Sequence, residues 1–476
     1  MRPATPVAVW LLLAVSSSAA ADTIVLKNGR RIVADNVTED TTHVTYQTPA
    51  GELSIPKSIV ARIERDNFGY SPASKALSEA PVSAPELEPV RGYEEVAGLA
   101  VHDNGIDFGY LSRLESDARS GSSAAIAKLV AAQYAAAQFL VGKGDTDEAI
   151  DHYRQALAFA PNNNGLLLNL AVLYLRESQF TTALDPLERA RRATPNSADV
   201  AKLMGWAYYG ANKMDRAIEE WQRAEKLRPE PEVEQALDKA QRDQAEEESY
   251  REGETAHFDL KYNGSATPDL ARGILRALED DFLDLESQLD YTPHEQIAVI
   301  LYTEQAFADI TRAPGWVGAL NDGRLRIPVQ GLTSVTPELA RVLKHELTHS
   351  FVGQKSHNRA PTWLQEGVAQ WMEGRRSTST AGGLVEEASQ GAIPPLGALE
   401  GSWMSLSGNS ASFAYAWSLA VVESIIDSGG ASDISRLLDR VATAPSTEAA
   451  TQEMLHASYA DLQDQTVLYL KHEYLH

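Results

Sequence analysis

Three sets of residues in the middle of this chain recur at one interval. Ala149, Ala183 and Ala217 are 34 residues apart, as are Ala156, Ala190 and Ala224, and as are Pro161, Pro195 and Pro229. A short unit repeated in this way cannot bury its apolar face alone, so neighbouring units must stack and share one continuous core. Alanines suit the places where two helices approach closely. Proline ends a helix because it lacks the N–H and clashes with the preceding turn. The first helix of each unit supplies apolar bulk, as in Leu167, Leu170, Ala171 and Tyr174, then Met204, Gly205 and Tyr208. Ala136, Ala137 and Leu140 take those places in a less typical first unit. The period predicts stacked helix pairs over residues 124–230.

With this period and these residues the region resembles tetratricopeptide repeats. The resemblance implies an α-solenoid whose concave face holds a peptide or protein partner; a purely structural spacer is the plainer alternative. Residues 230–254 carry ten acids against three bases on a helical pattern. They read as a solvated capping helix, so the solenoid with its cap is placed at 111–254.

The flanks have other characters. Residues 1–21 combine Arg2, an apolar run from Val7 to Val15 and Ala19-Ala20-Ala21, the pattern of a cleaved export signal. No other stretch reads as the roughly 20 apolar residues needed to span a bilayer, so no stable membrane anchor is expected after cleavage. Without cysteine the chain can form neither disulfides nor a lipid-modified cysteine. The expected location is the bacterial periplasm or the medium. Residues 22–67 alternate in short strands around an Asn28-Gly29 turn, predicting a small β module of four or five strands. Residues 68–110, rich in Pro, Ser, Ala and Glu, read as a linker. A net charge of −24 argues against nucleic acid as a partner.

The chemistry lies in residues 255–476, which change to an α+β pattern. "AHFDLKYN", "IAVILYT" and "GRLRIPVQ" read as strands, with a long amphipathic helix between the first two. "PELARVLKHELTHSFVG" then runs as a helix carrying His345 and His349. Four residues on a helix return to one face, so both imidazoles project together as zinc donors. Glu346 lies beside them, placed to take a proton from a metal-bound water. A second helix, opened by Pro361, carries Glu366 in "WLQEG" and can return a third ligand. HELTH followed by WLQEG resembles the gluzincin metallopeptidases, most closely their peptidase-MA-like branch. The resemblance implies His345, His349 and Glu366 as ligands of Zn2+ and Glu346 as general base. It also implies Tyr415 as a donor to the developing oxyanion, although a core tyrosine fits that position equally.

Softer expectations surround this set. Gln370, one turn beyond Glu366, stands where relatives often carry a carboxylate behind a ligating histidine. "GRLRIPVQ" is the candidate edge strand for an extended substrate, with Arg324 and Arg326 either meeting substrate carboxylates or keeping that edge soluble. His357 reads as an exposed loop histidine. A second H-E-x-x-H, "HEYLH" at 472–476, ends the sequence with nothing after it to supply a third ligand, and reads as part of a closing amphipathic helix.

The expected molecule is thus multidomain: a small all-β module, an α-solenoid and an α+β gluzincin-type domain. Its expected function is that of an exported zinc metallopeptidase acting on a peptide or protein substrate, with the repeats recruiting substrate or a protein partner. The alternatives are a repeat-based adaptor with a structural or vestigial zinc domain, and a metallohydrolase of a non-protein amide such as cell-wall peptide.

Overall fold

The computed structural model describes residues 21–27, 31–39, 42–48, 51–64, 81–87, 89–102, 105–263, 266–303, 306–307, 319–321, 323–329, 332–401, 403 and 408–475. The expected export signal up to residue 20, the expected Asn28-Gly29 turn and His476 lie outside them. Two compact units are present, Met1–Ser71 and Pro72–His476. The first is a five-stranded sheet of β1 (Ala21–Leu26), β2 (Arg31–Glu39), β3 (His43–Thr48), β4 (Gly51–Pro56) and β5 (Val60–Glu64). All its pairings are antiparallel in the order β4-β3-β2-β1-β5.

The second unit begins with the solenoid. Helices α1 (Tyr93–Ala100) and α2 (Phe108–Ala118) flank a short hairpin of β6 (Val101–His102) and β7 (Gly105–Ile106). Three helix pairs follow: α3 (Ser123–Lys143) with α4 (Thr146–Phe159), α5 (Asn164–Arg176) with α6 (Phe180–Ala193), and α7 (Ala198–Gly210) with α8 (Met214–Leu227). The periodic alanines are buried, and each periodic proline falls two residues beyond the end of a second helix. Inside every pair the chain turns through a left-handed residue, Gly144, Ser178 or Asn212, with φ of 87°, 55° and 54°. α9 (Pro231–Glu247) closes the stack.

Two expectations need correction here. Residues 68–110 are not all linker, since α1 lies within them and residues 81–92 bury Val82 and Val90 in the solenoid core. And α3 is long and apolar enough to cross a membrane by length and composition, contrary to the expectation that no stretch beyond the leader is. It is instead a repeat helix whose apolar faces pack on α1, α2 and α4.

The α+β half continues the same unit. Its sheet comprises β8 (Arg251–Glu254), β9 (Phe258–Tyr262), β10 (Ile297–Tyr302), β11 (Leu320–Asn321) and β12 (Arg324–Pro328), in the order β11-β12-β10-β9-β8. β9, β10 and β12 are parallel; β8 and β11 run antiparallel to their neighbours. Side chains alternate across the sheet. Val299, Leu301, Leu325 and Ile327 point into the core formed with α10 (Pro268–Leu289) and α11 (Pro337–Lys355). Tyr302, Arg324 and Arg326 point the other way, onto α9. The capping helix of the solenoid therefore serves as the back layer of the sheet, and central β10 is buried along its whole length.

That layer is held by charge. Arg326 donates to Asp243 at 3.0 and 2.8 Å and to the Tyr302 hydroxyl at 2.8 Å. Arg324 donates to Glu247 at 2.8 and 2.7 Å and to Asn212 at 2.9 Å. Burial pushes the Asp243 carboxyl up, but Arg326 and Arg324 outweigh it and hold the group below its ordinary range. Arg324 and Arg326 thus neither meet substrate nor solubilise an edge, and the capping helix is not solvated on this face. The edge beyond β12 is β11, which the turn ending at Gly323 folds back onto it.

The three left-handed turns of the solenoid dock on the α+β half as well. At Gly144 a Cβ would lie 2.6 Å from Thr443 Cα, so both its φ and its surroundings demand glycine. Beside Ser178, Glu177 Oε2 lies 3.0 Å from His357 Nε2, and Thr181 Oγ1 donates to Glu295 at 2.8 Å. Asn212 donates to Asp259 at 2.5 Å. His357 is therefore a half-buried interface residue, not an exposed one. Four more helices complete the half after α12 (Thr362–Met372): α13 (Ala381–Ser389), α14 (Gly408–Gly429), α15 (Ala431–Thr443) and α16 (Thr447–Leu455), closed by α17 (Tyr459–Tyr474).

Candidate metal centre

The centre is built where α11 crosses α12. α11 starts at a Thr336 cap with Pro337 in its first turn, and Lys344 ties it to α10 through Asp284 at 2.5 Å. His345 and His349 lie one turn apart on its buried face, ring centroids 4.8 Å apart and planes at 74°. α12 packs on α14 through Gly367, where a Cβ would lie 2.5 Å from the Ser418 carbonyl oxygen. This close approach sets the depth at which the neighbouring Glu366 meets the histidines.

One carboxylate oxygen of Glu366 lies 3.4 Å from His345 Nε2 and 3.8 Å from His349 Nε2. One ligand atom from each of the three side chains falls within 4.8 Å of the others, and all three residues are fully buried. Zinc bonds of about 2.0–2.1 Å at tetrahedral angles separate two ligand atoms by about 3.4 Å. Among the described residues, both ring nitrogens of each histidine and both oxygens of Glu346 make no hydrogen bond. Burying such atoms unpaired is destabilising. The donor set and its spacing fit a zinc ion.

The electrostatics follow from burial against carboxylates. Burial lowers both histidines. For His345 the Glu373 and Glu366 carboxylates overcome this and raise it to about 10, whereas His349 falls well below its ordinary value. Burial pushes Glu346 up to about 8, opposed by His345 and assisted by Glu366 and Glu373. A cation here would displace the His345 proton, since ligating imidazole must be neutral.

Two residues missed from the sequence support this set. Glu373 brings Oε1 to 3.4 Å from His345 Nδ1 and is held by Arg375 at 2.8 Å. It stands two turns beyond Glu366 on the same helix line, which is the signal that would have found it. Gln370 does something else: its amide donates to the backbone carbonyls of Glu366 and Tyr415 at 3.1 and 2.9 Å. Asn321 donates to the Glu346 carbonyl and to Ser350 Oγ, both at 2.8 Å. It joins the sheet edge to the histidine helix.

Tyr415 is buried on α14 with its ring edge-on to Trp403 at 5.0 Å. In the second H-E-x-x-H, His472 lies on the exposed side of α17. The two motifs thus open in different environments, His345 buried and His472 exposed.

A family model described as tetratricopeptide repeat matches residues 140–206. The chain therefore carries tetratricopeptide repeats, a fold that commonly binds protein partners. No curated protein matches it. Among solved structures, the first such domain of human RPAP3 is 24% identical over 25% of this chain and 94% of its own, with a TM-score of 0.24. The first repeat domain of Spaghetti (RPAP3), bound to an HSP90 peptide, is 24% identical over 24% and 93%, also at 0.24. MamA from Desulfovibrio magneticus RS-1 is 23% identical over 34% and 88%, at 0.25. Scores this low carry no argument about this chain.

Proposed function

We propose that the α+β half is a gluzincin-type zinc peptidase centre joined to a protein-binding solenoid. The convergence of His345, His349 and Glu366 within 4.8 Å in a fully buried site carries the reading. These three would hold the ion. Zinc, when bound, supplies a Lewis acid that polarises a carbonyl and lowers the pKa of water towards about 7.

The remaining steps fall to the protein. Glu346 would take the proton of the attacking water and pass it to the leaving amine. Glu373 would fix the orientation of His345 through Nδ1. Asn321 would hold the backbone of Glu346 in register with the sheet edge, and Tyr415 is the assigned donor to the oxyanion. Export from the cytosol belongs to the same proposal, and so does action on a peptide or protein rather than another amide.

The test is metal analysis of the purified protein together with a broad peptide-substrate screen on it and on Glu346→Gln. About one zinc per chain in both, with cleavage only in the parent, is the expected result. Cleavage by Glu346→Gln would remove that residue from its role.

A second reading has an observation of its own. The family match falls on the repeats and supports a protein-interaction adaptor more directly than it supports a peptidase. In that reading the α+β half is a docked scaffold, and tight partner capture without any cleavage is the outcome that selects it.

A further inference from the structure

Residues 81–87 and 89–92 form no regular structure, yet they are not loose. Val82 is 1% and Val90 7% exposed, both within the core of the solenoid. At one end Ser83 donates through its N–H and its hydroxyl to Glu232 at 3.0 and 2.7 Å. Glu232 also pairs with Lys202 of α7, which Glu230 contacts at 2.6 Å. At the other end Gly92 lies against Ala131, and the Tyr93 ring sits edge-on to Tyr134 of α3 at 5.4 Å.

From Ser83 to Tyr93 an extended chain reaches about 33 Å. Packed helices lie about 8–10 Å apart, so this length suffices to cross α7, α5 and α3 in turn. The repeat phase locates the crossing. Tyr134, Leu168 and Lys202 are 34 residues apart and so occupy one equivalent position on the first helix of each pair. All three are 3–5% exposed, although one is a lysine.

We infer that this row of equivalent positions is a groove for an extended peptide, and that residues 81–92 occupy it in cis. A partner peptide then enters only by displacing them, and must resemble them: extended, with two aliphatic anchors spaced like Val82 and Val90 and a hydroxyl beside the first. The inference deepens the protein-binding reading of the repeats and is independent of the zinc reading. A tethered occupant acts at an effective concentration of order millimolar, so the groove excludes weak ligands in the intact chain.

The experiment uses the full chain and a labelled peptide copying residues 81–92. Replacing both anchors in the protein, V82D with V90D, is expected to strengthen peptide binding by about tenfold or more over the parent. Equal binding by both proteins, or none by either, overturns the inference. A second measurement covers failure of that variant to fold. The chain has no cysteine, so S83C with E232C introduces a single pair that forms a disulfide while the segment is docked. Excess free peptide is expected to slow its formation at least about fivefold. No disulfide, or a rate indifferent to peptide, counts against cis occupancy. Partner capture that survives either negative result leaves the broader protein-binding reading standing.

Discussion

Two of the buried polar clusters in the α+β half are built on opposite terms. Around β12, Arg324 donates to Glu247 and Arg326 to Asp243 and Tyr302 at 2.7 to 3.0 Å, so each positive group faces a negative one. Around α11, His345 and His349 bring Nε2 to 3.4 and 3.8 Å from Glu366, and these two and the buried Glu346 make no side-chain hydrogen bonds among the described residues. Both clusters are equally dry. Leaving a buried polar atom unpaired costs about 1–3 kcal/mol, so the first arrangement, which leaves Arg324 Nε without a partner among the described residues, is nearly complete as a structural joint, while the second suits an additional cation. Burial of charge alone does not mark a functional site; the balance of donors and acceptors does.

The sharpest way to break this contrast is to remove a ligand. His345→Ala, His349→Ala or Glu366→Ala should lower bound zinc from about one per chain to about a tenth or less, measured by elemental analysis. Unchanged zinc would return the second cluster to mere structure. His472→Ala should leave the zinc content as it was.

The first cluster should fail differently. Arg326→Met leaves Asp243 buried beside only part of its positive partners, and a loss of about 3–5 kcal/mol in chemical unfolding is expected. Asp243→Leu added to it should recover part of that loss. Because the folded Asp243 carboxyl is held below its unfolded value, its contribution is present above about pH 4 and is lost as pH falls through the folded value. Acid unfolding of the parent should therefore be steeper than that of the double variant.

Smaller effects test the periphery. Glu373→Gln should weaken zinc about 10- to 100-fold in competition with a chelator, without abolishing binding. At the turn interface, burial raises Glu177 to about 8 and lowers His357, so their contact holds one proton between them. A carboxyl raised on folding stabilises fully below its unfolded value and loses that contribution as pH rises through about 8. Thermal stability should thus decline as pH rises towards about 8 and level off above it, and Glu177→Gln should flatten the decline.

Much of this was legible in particular residues. The 34-residue period predicted the helix pairs, because a repeated unit must stack in one way throughout. His345 and His349 share a helix face by helical geometry alone. Glu366 required a second helix to return, which Pro361 and WLQEG suggested. Glu373 and Asn321 were passed over, since nothing local says which carboxylate or amide will face a histidine across a gap. The reading of Arg324 and Arg326 failed for the same reason: alternation told that they share a face, not what covers it.

The sequence by itself therefore determined what repeats and periods encode: the solenoid, the strand alternation and the pairing of the two imidazoles. These depend on near neighbours along the chain. Only the tertiary structure decided that α9 backs the sheet, that the left-handed turns dock on the α+β half, and that residues 81–92 lie in the solenoid. Those contacts join residues up to nearly 300 positions apart, as Gly144 and Thr443 do. They depend on which surfaces remain apolar or charged after local structure has formed, and local pattern is blind to that.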